Sequence, residues 1–453
     1  LEKWRVFLHP SQRALVERDW NGPVRVLGGA GTGKTVVALH RARWLAANRC
    51  PAGEKILFTT FTRTLAKDLE RQLAAICSPQ ELGKIDVVSL DRWVMDFLRR
   101  NAYEYTIIYS DKTSETLWET ARALLPEDSP AKRFPTAFFR EEWERVVQPQ
   151  EVMTATEYFK ASRKGRGQAL SRKERKEIWP VFEEFRIILN ERKERQPADA
   201  MREARQFIEQ NVKPLYFAVL VDEAQDMSAQ ALRLLRALTP TGANDIFLVG
   251  DAHQRIYGQP APLSGCGINI VGRARKLRIN YRTTEEIRRT AICFLKNGIA
   301  DDLDGNADDI KKYVSLMHGV PPQERHFATR AEALETMVHD IGRLAEKYAL
   351  QMNNLCIAFR TISAASEVVS VLKAGGIPSY VLTADSHDDR GAEGVRLSTM
   401  HRIKGLEFDV VFILDNASAL TEEHTDGVRA EQEKALRYVA ATRARRELFI
   451  YTF

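Results

Sequence analysis

The stretch GGAGTGKT (Gly28–Thr35) follows the apolar run VRVL and opens an amphipathic stretch, KTVVALHRARWLAAN. It fits the pattern GxxxxGK[ST] in the strand-to-helix setting that the pattern's mechanism needs. The backbone N–H groups of Gly28, Gly29, Ala30, Gly31, Thr32 and Gly33 turn in on a phosphate chain. Lys34 supplies a point charge, and the Thr35 hydroxyl can ligate Mg²⁺. The loop therefore commits the chain to a strand–loop–helix unit that holds a nucleotide. It does not say what the nucleotide is for, because the same loop serves kinases, switches and motors.

The rest of the chain repeats the strand-then-helix rhythm. VRVLGG, KILFTTF, FAVLVDEAQD, DIFLVGD and KLRIN read as strands buried on both faces, separated by stretches such as SAQALRLLRALT. Alternation of this kind means an α/β fold with a parallel, doubly wound sheet. It breaks between about Trp93 and Lys213, a helix-rich stretch carrying Trp118, Trp143 and Trp179. It resumes after Arg282 with RHFAT, a long helix RAEALETMVHDIGRLAEKYA, then NLCIAFR, SAASEVVSVLKAGG, PSYVL, VRLSTM and DVVFIL. The expected division is a first α/β domain over 1–92 and 213–280, a helical domain inserted at 93–212, and a second α/β domain over 281–453. TADSHDDRGAEG (Thr383–Gly394) reads as a loop. KASRKGRGQALSRKERK (Lys160–Lys176) is densely basic: it is either a solvated face or a patch that grips a polymer backbone by releasing counterions.

Composition removes several classes. A length of 453 residues with 44% hydrophobic and 28% charged residues suits a globular protein of several domains. No run of about 18 apolar residues spans a membrane, and no secretion leader is visible. The sequence opens on Leu1, so a leader or flanking domain outside it is an open expectation. Five scattered cysteines without a CxxC pair argue against a zinc site or a disulfide framework, and for a reducing compartment. A net charge of +6 fits a nucleic-acid partner, weakly.

VLVDEAQD supplies the next part of the chemistry. Asp222 at the end of an apolar strand is placed to hold the shell of a metal ion. Glu223, next to it, can present its carboxylate to water as a general base. Two acids that merely lead into the helix after Ser228 are the bland alternative. A base for water points to hydrolysis rather than transfer to a small molecule.

DEAQD, then GDAHQRIYG, NYRT, STMHRIKGLEFDVVFI and YVAATRARRELFI follow in order, and together they resemble the UvrD/Rep-type superfamily 1 helicases. The matching motifs run from Gln12 to Arg443, nearly the whole chain. The resemblance implies two RecA-like domains with a helical insertion in the first, and ATP with Mg²⁺ in the cleft between them. It implies a single strand of DNA as partner, with RNA left open, and 3′→5′ movement. Gln12 resembles the residue that reads the adenine edge. Phe61 and Thr62 resemble the segment that touches the strand, and Tyr257, Thr399 and His401 would lie on the strand path. Gln254 resembles the sensor of the γ-phosphate and attacking water. Tyr281 would stack on adenine, Arg282 and Arg443 would reach the γ-phosphate as arginine fingers, and Glu407 would contact ribose. Taken singly, Arg282 or Arg443 reads as a surface ion pair and His401 as a packing histidine; only their place in ordered motifs favours the functional roles. A cytosolic, nucleoid or nuclear location would follow.

The sequence also departs from that family. Val36 stands where Arg usually follows the GKT, Asp91 stands near the usual His of the strand contact, and Gln259 replaces a stacking aromatic. Only about 117 residues separate Arg282 from Thr399, too few for the large insertion of the longer members. The reading is a compact ATP-driven translocase or helicase. Its competitor is a regulatory ATPase that clamps or remodels through a protein partner or a flanking domain and unwinds little.

Overall fold

In the computed structural model, which describes residues 8–164, 166–211, 214–256, 261–295, 299–301, 307–309, 312–383, 391–416 and 427–453, the apolar runs form strands. They are β1 (Val24–Gly28), β2 (Ile56–Thr60), β3 (Ile85–Ser89), β4 (Thr106–Ile107), β5 (Glu194–Arg195), β6 (Ala218–Val221), β7 (Ile246–Gly250) and β8 (Ala274–Leu277). The first six-stranded sheet has the order β3-β2-β6-β7-β1-β8. Ile56 lies opposite both Ile85 and Ala218, and Val219 opposite Ile246, all in parallel register. Every residue of β1, β2, β6 and β7 is buried, as a parallel sheet covered on both faces requires. β3 escapes the sequence reading. It is an edge strand, half-buried along IDVVS, so its pattern is not a continuous apolar run.

The chain divides into two compact units. The first comprises Leu1–Arg25, Ala38–Leu248 and Gly258–Ala274. Among its described residues, the regular structure from Leu90 to Asn211 is helical apart from the short β4–β5 pair. The helical part has its own core. Trp118 stacks face to face on Phe185 at 3.6 Å and meets Trp143 edge-on at 5.6 Å. Trp179 stacks on Tyr158 at 5.5 Å. All three tryptophans are packing residues, each worth about 3–5 kcal/mol if truncated to Ala.

The same core explains most of the basic segment. The Arg163 and Arg166 guanidinium groups lie 2.6 and 2.8 Å from the carboxylate of Glu142, which is fully buried. Arg166 also pairs with Glu141 at 2.8 Å. Arg175 donates to the carbonyls of Tyr158, Phe159 and Ala161. These three arginines hold the segment onto the helices. Lys160, Lys164, Lys173 and Lys176 stay exposed.

The second unit comprises Val26–Val37, Val249–Tyr257 and Arg275–Phe453. Its strands are β9 (Ile279–Thr284), β10 (Ile299–Asp301), β11 (Ala307–Asp309), β12 (Val314–Met317), β13 (Gln323–His326), β14 (Leu355–Phe359), β15 (Ser379–Val381), β16 (Val395–Thr399), β17 (Phe408–Asp415) and β18 (Ala444–Thr452). Six of them form an all-parallel sheet, β13-β18-β17-β14-β16-β15. KLRIN, expected as one strand, is split at Arg278: β8 closes the first sheet, and β9 pairs in parallel with β12. β12 was not legible, because its VSLM is exposed at three of four positions. The loop expected at Thr383–Gly394 lies outside the described residues over 384–390.

Candidate nucleotide site and strand path

In both sheets several residues of the candidate motifs follow the carboxyl ends of strands, where open α/β sheets bind ligands. The glycine-rich loop follows β1, Phe61 and Thr62 follow β2, Asp222 follows β6, Asp251 to Gln254 follow β7, and Thr399 ends β16.

At two positions the loop calls for glycine. Gly31 and Gly33 have φ of 72° and 83°, which a side chain resists. A Cβ on Gly31 would lie 2.6 Å from Arg282 Cβ, and one on Gly29 would lie 3.3 Å from the Tyr313 ring. The Tyr281 N–H donates to Gly31 O at 3.0 Å. Asn280 holds this strand end in shape, its Oδ1 accepting from the Arg282 and Thr283 N–H groups at 2.8 and 3.2 Å. The turns of the loop thus meet NYRT directly.

Lys34 donates from Nζ to Gly29 O at 2.8 Å and lies 3.9 Å from Asp251 Oδ2. Asp251 is buried. Desolvation opposes its charge, but Lys34 and the hydrogen bonds from His253 hold its carboxyl below the ordinary value. Its Oδ2 accepts from Gln254 Nε2 at 2.8 Å. Gln254 Oε1 accepts from Arg443 Nη2 at 2.8 Å, and Gln254 O accepts from Lys404 Nζ at 2.7 Å. One polar chain therefore runs Lys34–Asp251–Gln254–Arg443, through groups that are all nearly inaccessible. Asp251 and Lys404 were not singled out from the sequence, although both sit inside motifs that were. His253, for which the sequence suggests no role, supplies part of the setting of Asp251, with its Nδ1 3.5 Å from Oδ1.

Arg282 is one-third exposed, and its Nε lies 3.0 Å from Glu407 Oε2. The residue expected at the γ-phosphate and the residue expected at ribose thus pair with each other. Thr399 Oγ1 accepts from the Arg402 N–H at 3.2 Å. His401 is half-buried; burial and the nearby Arg360 push its pKa below the ordinary value. Tyr257 lies outside the described residues.

In the first unit Asp222 is buried, its N–H bonded to Thr59 O at 2.9 Å. Glu223 has φ 54°, a left-handed conformation uncommon outside glycine and found at sites that aim a side chain. Its carboxylate accepts from the Gln225 side chain. The sequence reading passed over Gln225, the third residue of EAQ. Gln12 stands at the third position of helix Pro10–Glu17, where its Oε1 accepts from the His9 N–H at 3.4 Å in a capping box. Thr62 caps helix Arg63–Ile76, its Oγ1 accepting from the Leu65 N–H at 3.2 Å. Phe61, beside it, is part-exposed.

Among the described residues no cluster of three or more His, Cys, Asp or Glu could hold a metal ion by itself. Thr35 in the second unit and Asp222 in the first each carry a hard oxygen of the kind Mg²⁺ takes, an ion that completes its shell from phosphates and water. The glycine turns, which a Cβ would fill, and Lys34 suit a polyphosphate. No helix of the described residues is long and apolar enough to cross a membrane.

Comparison with known proteins agrees with this geometry. The chain is 24% identical to a probable DNA helicase of Mycoplasma pneumoniae, over 98% of this chain and 83% of that protein. It is 23% identical to the mitochondrial ATP-dependent DNA helicase HMI1 of Saccharomyces cerevisiae, over 82% of this chain and 52% of that protein. It is 22% identical to the ATP-dependent DNA helicase PcrA of Leuconostoc citreum, over 81% and 49%. The chain thus spans about half the length of the last two relatives. Residues 8–259 match the family model of the UvrD/REP helicase N-terminal domain, and residues 381–453 that of the UvrD-like helicase C-terminal domain. The first match alone covers more than half of the sequence and takes in the glycine loop, DEAQD and GDAHQ, so the chain belongs to the UvrD/REP helicase family.

Proposed function

We propose that the chain is an ATP-dependent DNA helicase or translocase that couples ATP hydrolysis to 3′→5′ movement along a single strand. The observation that carries this reading is the buried polar chain from Lys34 through Asp251 and Gln254 to Arg443. A triphosphate would draw on both cations at its ends. Any change of phosphate charge would then be felt at Gln254 and, through Lys404, in the segment that carries Thr399 and His401.

The roles follow the chemistry. Lys34 and the loop amides bind the phosphates, with Thr35 and Asp222 holding the Mg²⁺ that neutralises them. Glu223, aimed by Gln225, takes the proton of the attacking water, and Gln254 orients that water. Arg282 and Arg443 stabilise the charge that spreads in the transition state. Gln12 and Tyr281 hold adenine and Glu407 the ribose. Phe61, Thr62, Tyr257, Thr399 and His401 hold the strand. In domain terms, 1–92 and 213–280 form one RecA-like domain, 93–212 a helical insertion, and 281–453 the second RecA-like domain. The cytosol, nucleoid or nucleus is the matching location.

The test measures ATPase stimulation by single-stranded DNA, by RNA and by no polymer, beside strand displacement on duplexes of increasing length. Stimulation by DNA together with displacement supports the reading. Stimulation without displacement favours a clamp or remodeller, an outcome that Gln259 in place of a stacking aromatic makes worth measuring. A rate indifferent to any polymer sinks both.

A further inference from the structure

A buried cation lies behind the adenine-reading element. Arg41, on helix Lys34–Asn48, is 1% exposed. Its Nη1 donates to Val16 O at 2.5 Å and to Arg18 O at 2.8 Å. Its Nη2 donates to Asn244 Oδ1 at 2.6 Å. Its plane lies over Trp44 at 4.8 Å and near Phe247 at 5.7 Å, so apolar rings shut out water. Burial lowers its pKa to about 10, which still leaves it charged at neutral pH.

Val16 and Arg18 lie at the carboxyl end of helix Pro10–Glu17, where unsatisfied carbonyls gather negative charge. Most helices end on solvent or a glycine turn; this one ends on a guanidinium. Asn244 completes the seat. Its Oδ1 also accepts from the Trp20 N–H at 2.8 Å, and its own N–H donates to Trp20 O at 2.8 Å. Asn244 has φ 62°, a conformation that suits Asn and Gly. Both ends of the short helix are therefore specified: Gln12 caps its start, and Arg41 with Asn244 fixes its finish.

We propose that Arg41 is a positioning residue for base recognition: it anchors the helix that presents Gln12, and so sets the preference for adenine over guanine. This rests on the reading of Gln12 as the adenine contact. A glutamine amide can pair with the N6 amino group and N7 of adenine only when both its ends are correctly aimed. A helix of two turns does not hold that aim by itself. Arg41 supplies the hold from beneath without touching the nucleotide.

The test compares kcat/KM for ATP and for GTP in the full chain, for Gln12→Ala, Arg41→Lys and Asn244→Gly. Lysine keeps the charge but not the fork that serves three acceptors. Glycine removes the side-chain brace and keeps the backbone conformation, so it covers the case in which Arg41→Lys does not fold. The expected result is an ATP-over-GTP ratio lowered about tenfold in each, through KM for ATP, with kcat within about twofold. Hydrogen exchange should rise at residues 10–17 and stay unchanged over 38–48. An unchanged ratio in Arg41→Lys and Asn244→Gly, beside a lowered ratio in Gln12→Ala, overturns the proposal alone. An unchanged ratio in Gln12→Ala overturns the reading of Gln12 and the proposal with it.

Discussion

Arg443 Nη2 sits 2.8 Å from Gln254 Oε1, and both residues are almost wholly buried. The guanidinium donates this bond to a neutral amide oxygen. The Arg443 Nε is engaged by Val439 O at 3.0 Å, so the group is held in one orientation. The nearest carboxylate in the polar chain, Asp251, lies on the far side of Gln254 and leans toward Lys34. The arrangement fixes the guanidinium within a hydrogen-bonded chain that reaches the phosphate loop.

Arg443→Ala is therefore expected to lower turnover by on the order of 10³, the scale of a lost arginine finger. Arg282→Ala should fall in the same range, with ATP affinity changing much less in both. Steady-state kinetics with a nucleotide-binding titration decides. A near-normal rate for Arg282→Ala would mean that its 3.0 Å pair with Glu407 is all it does.

Lys34 and Glu223 should separate binding from chemistry. Lys34→Ala removes the cation that the loop holds against Gly29 O and Asp251, and ATP turnover should vanish. Glu223→Gln should keep ATP and Mg²⁺ bound yet stop hydrolysis, because an amide cannot take a proton from water. The left-handed backbone at residue 223 accepts Gln no less than Glu, so the variant should fold normally. Equal loss of ATP affinity in both variants would contradict the division of roles.

The basic segment now yields a sharper contrast. Arg166→Ala strips a partner from the fully buried Glu142, although Arg163 remains, and should cost about 3 kcal/mol in stability. Replacing Lys160, Lys164, Lys173 and Lys176 by Gln should leave stability alone. If those lysines grip a single strand, the salt slope of binding falls by up to about 0.7 for each charge removed. An unchanged slope would leave them as a solvated face.

The parallel sheets were legible because their strands are buried on both faces, which writes an unbroken apolar run into the sequence. β3 and β12 were not, since edge strands mix polar and exposed residues. Lys34, Asp222 and Arg443 stood out as candidates in the sequence because each sits inside an ordered motif. Gln225, Asp251 and Lys404 were passed over because their contacts with Glu223, Lys34 and Gln254 exist only in the fold. Arg41 was harder still: an arginine in an amphipathic helix reads as a solvated position, and only the fold shows the carbonyls of Val16 and Arg18 waiting for it. Three arginines of the basic segment misled in the opposite direction, because Glu141 and Glu142, more than 20 residues earlier, claim two of them.

Glu285 should give the chain a measurable acid dependence close to Arg282. Its carboxylate accepts from Arg288 Nε at 2.7 Å, from the Ser315 N–H at 2.9 Å and from Arg289 Nε at 2.9 Å. The Arg288 hydrogen bonds, aided by Ser315 and Arg289, outweigh burial and lower its pKa from 4.5 to about 2. A carboxyl depressed in the folded state stabilises it fully above the unfolded value. That contribution is lost as pH falls from about 4.5 toward about 2. Glu285→Gln should therefore melt below the unaltered protein at pH 7, and the gap should narrow as pH drops below about 4.5. The bond to Ser315 joins β12 to the start of helix Glu285–Phe294, and Ser315 Oγ in turn donates to Thr283 O at 2.5 Å. Loosening it should also slacken NYRT, so turnover at pH 7 should fall several-fold, far less than for Arg282→Ala. Melting temperatures for both proteins between pH 7 and pH 3.5 are the check. A gap of constant size across that range would mean that Glu285 contributes through shape rather than charge.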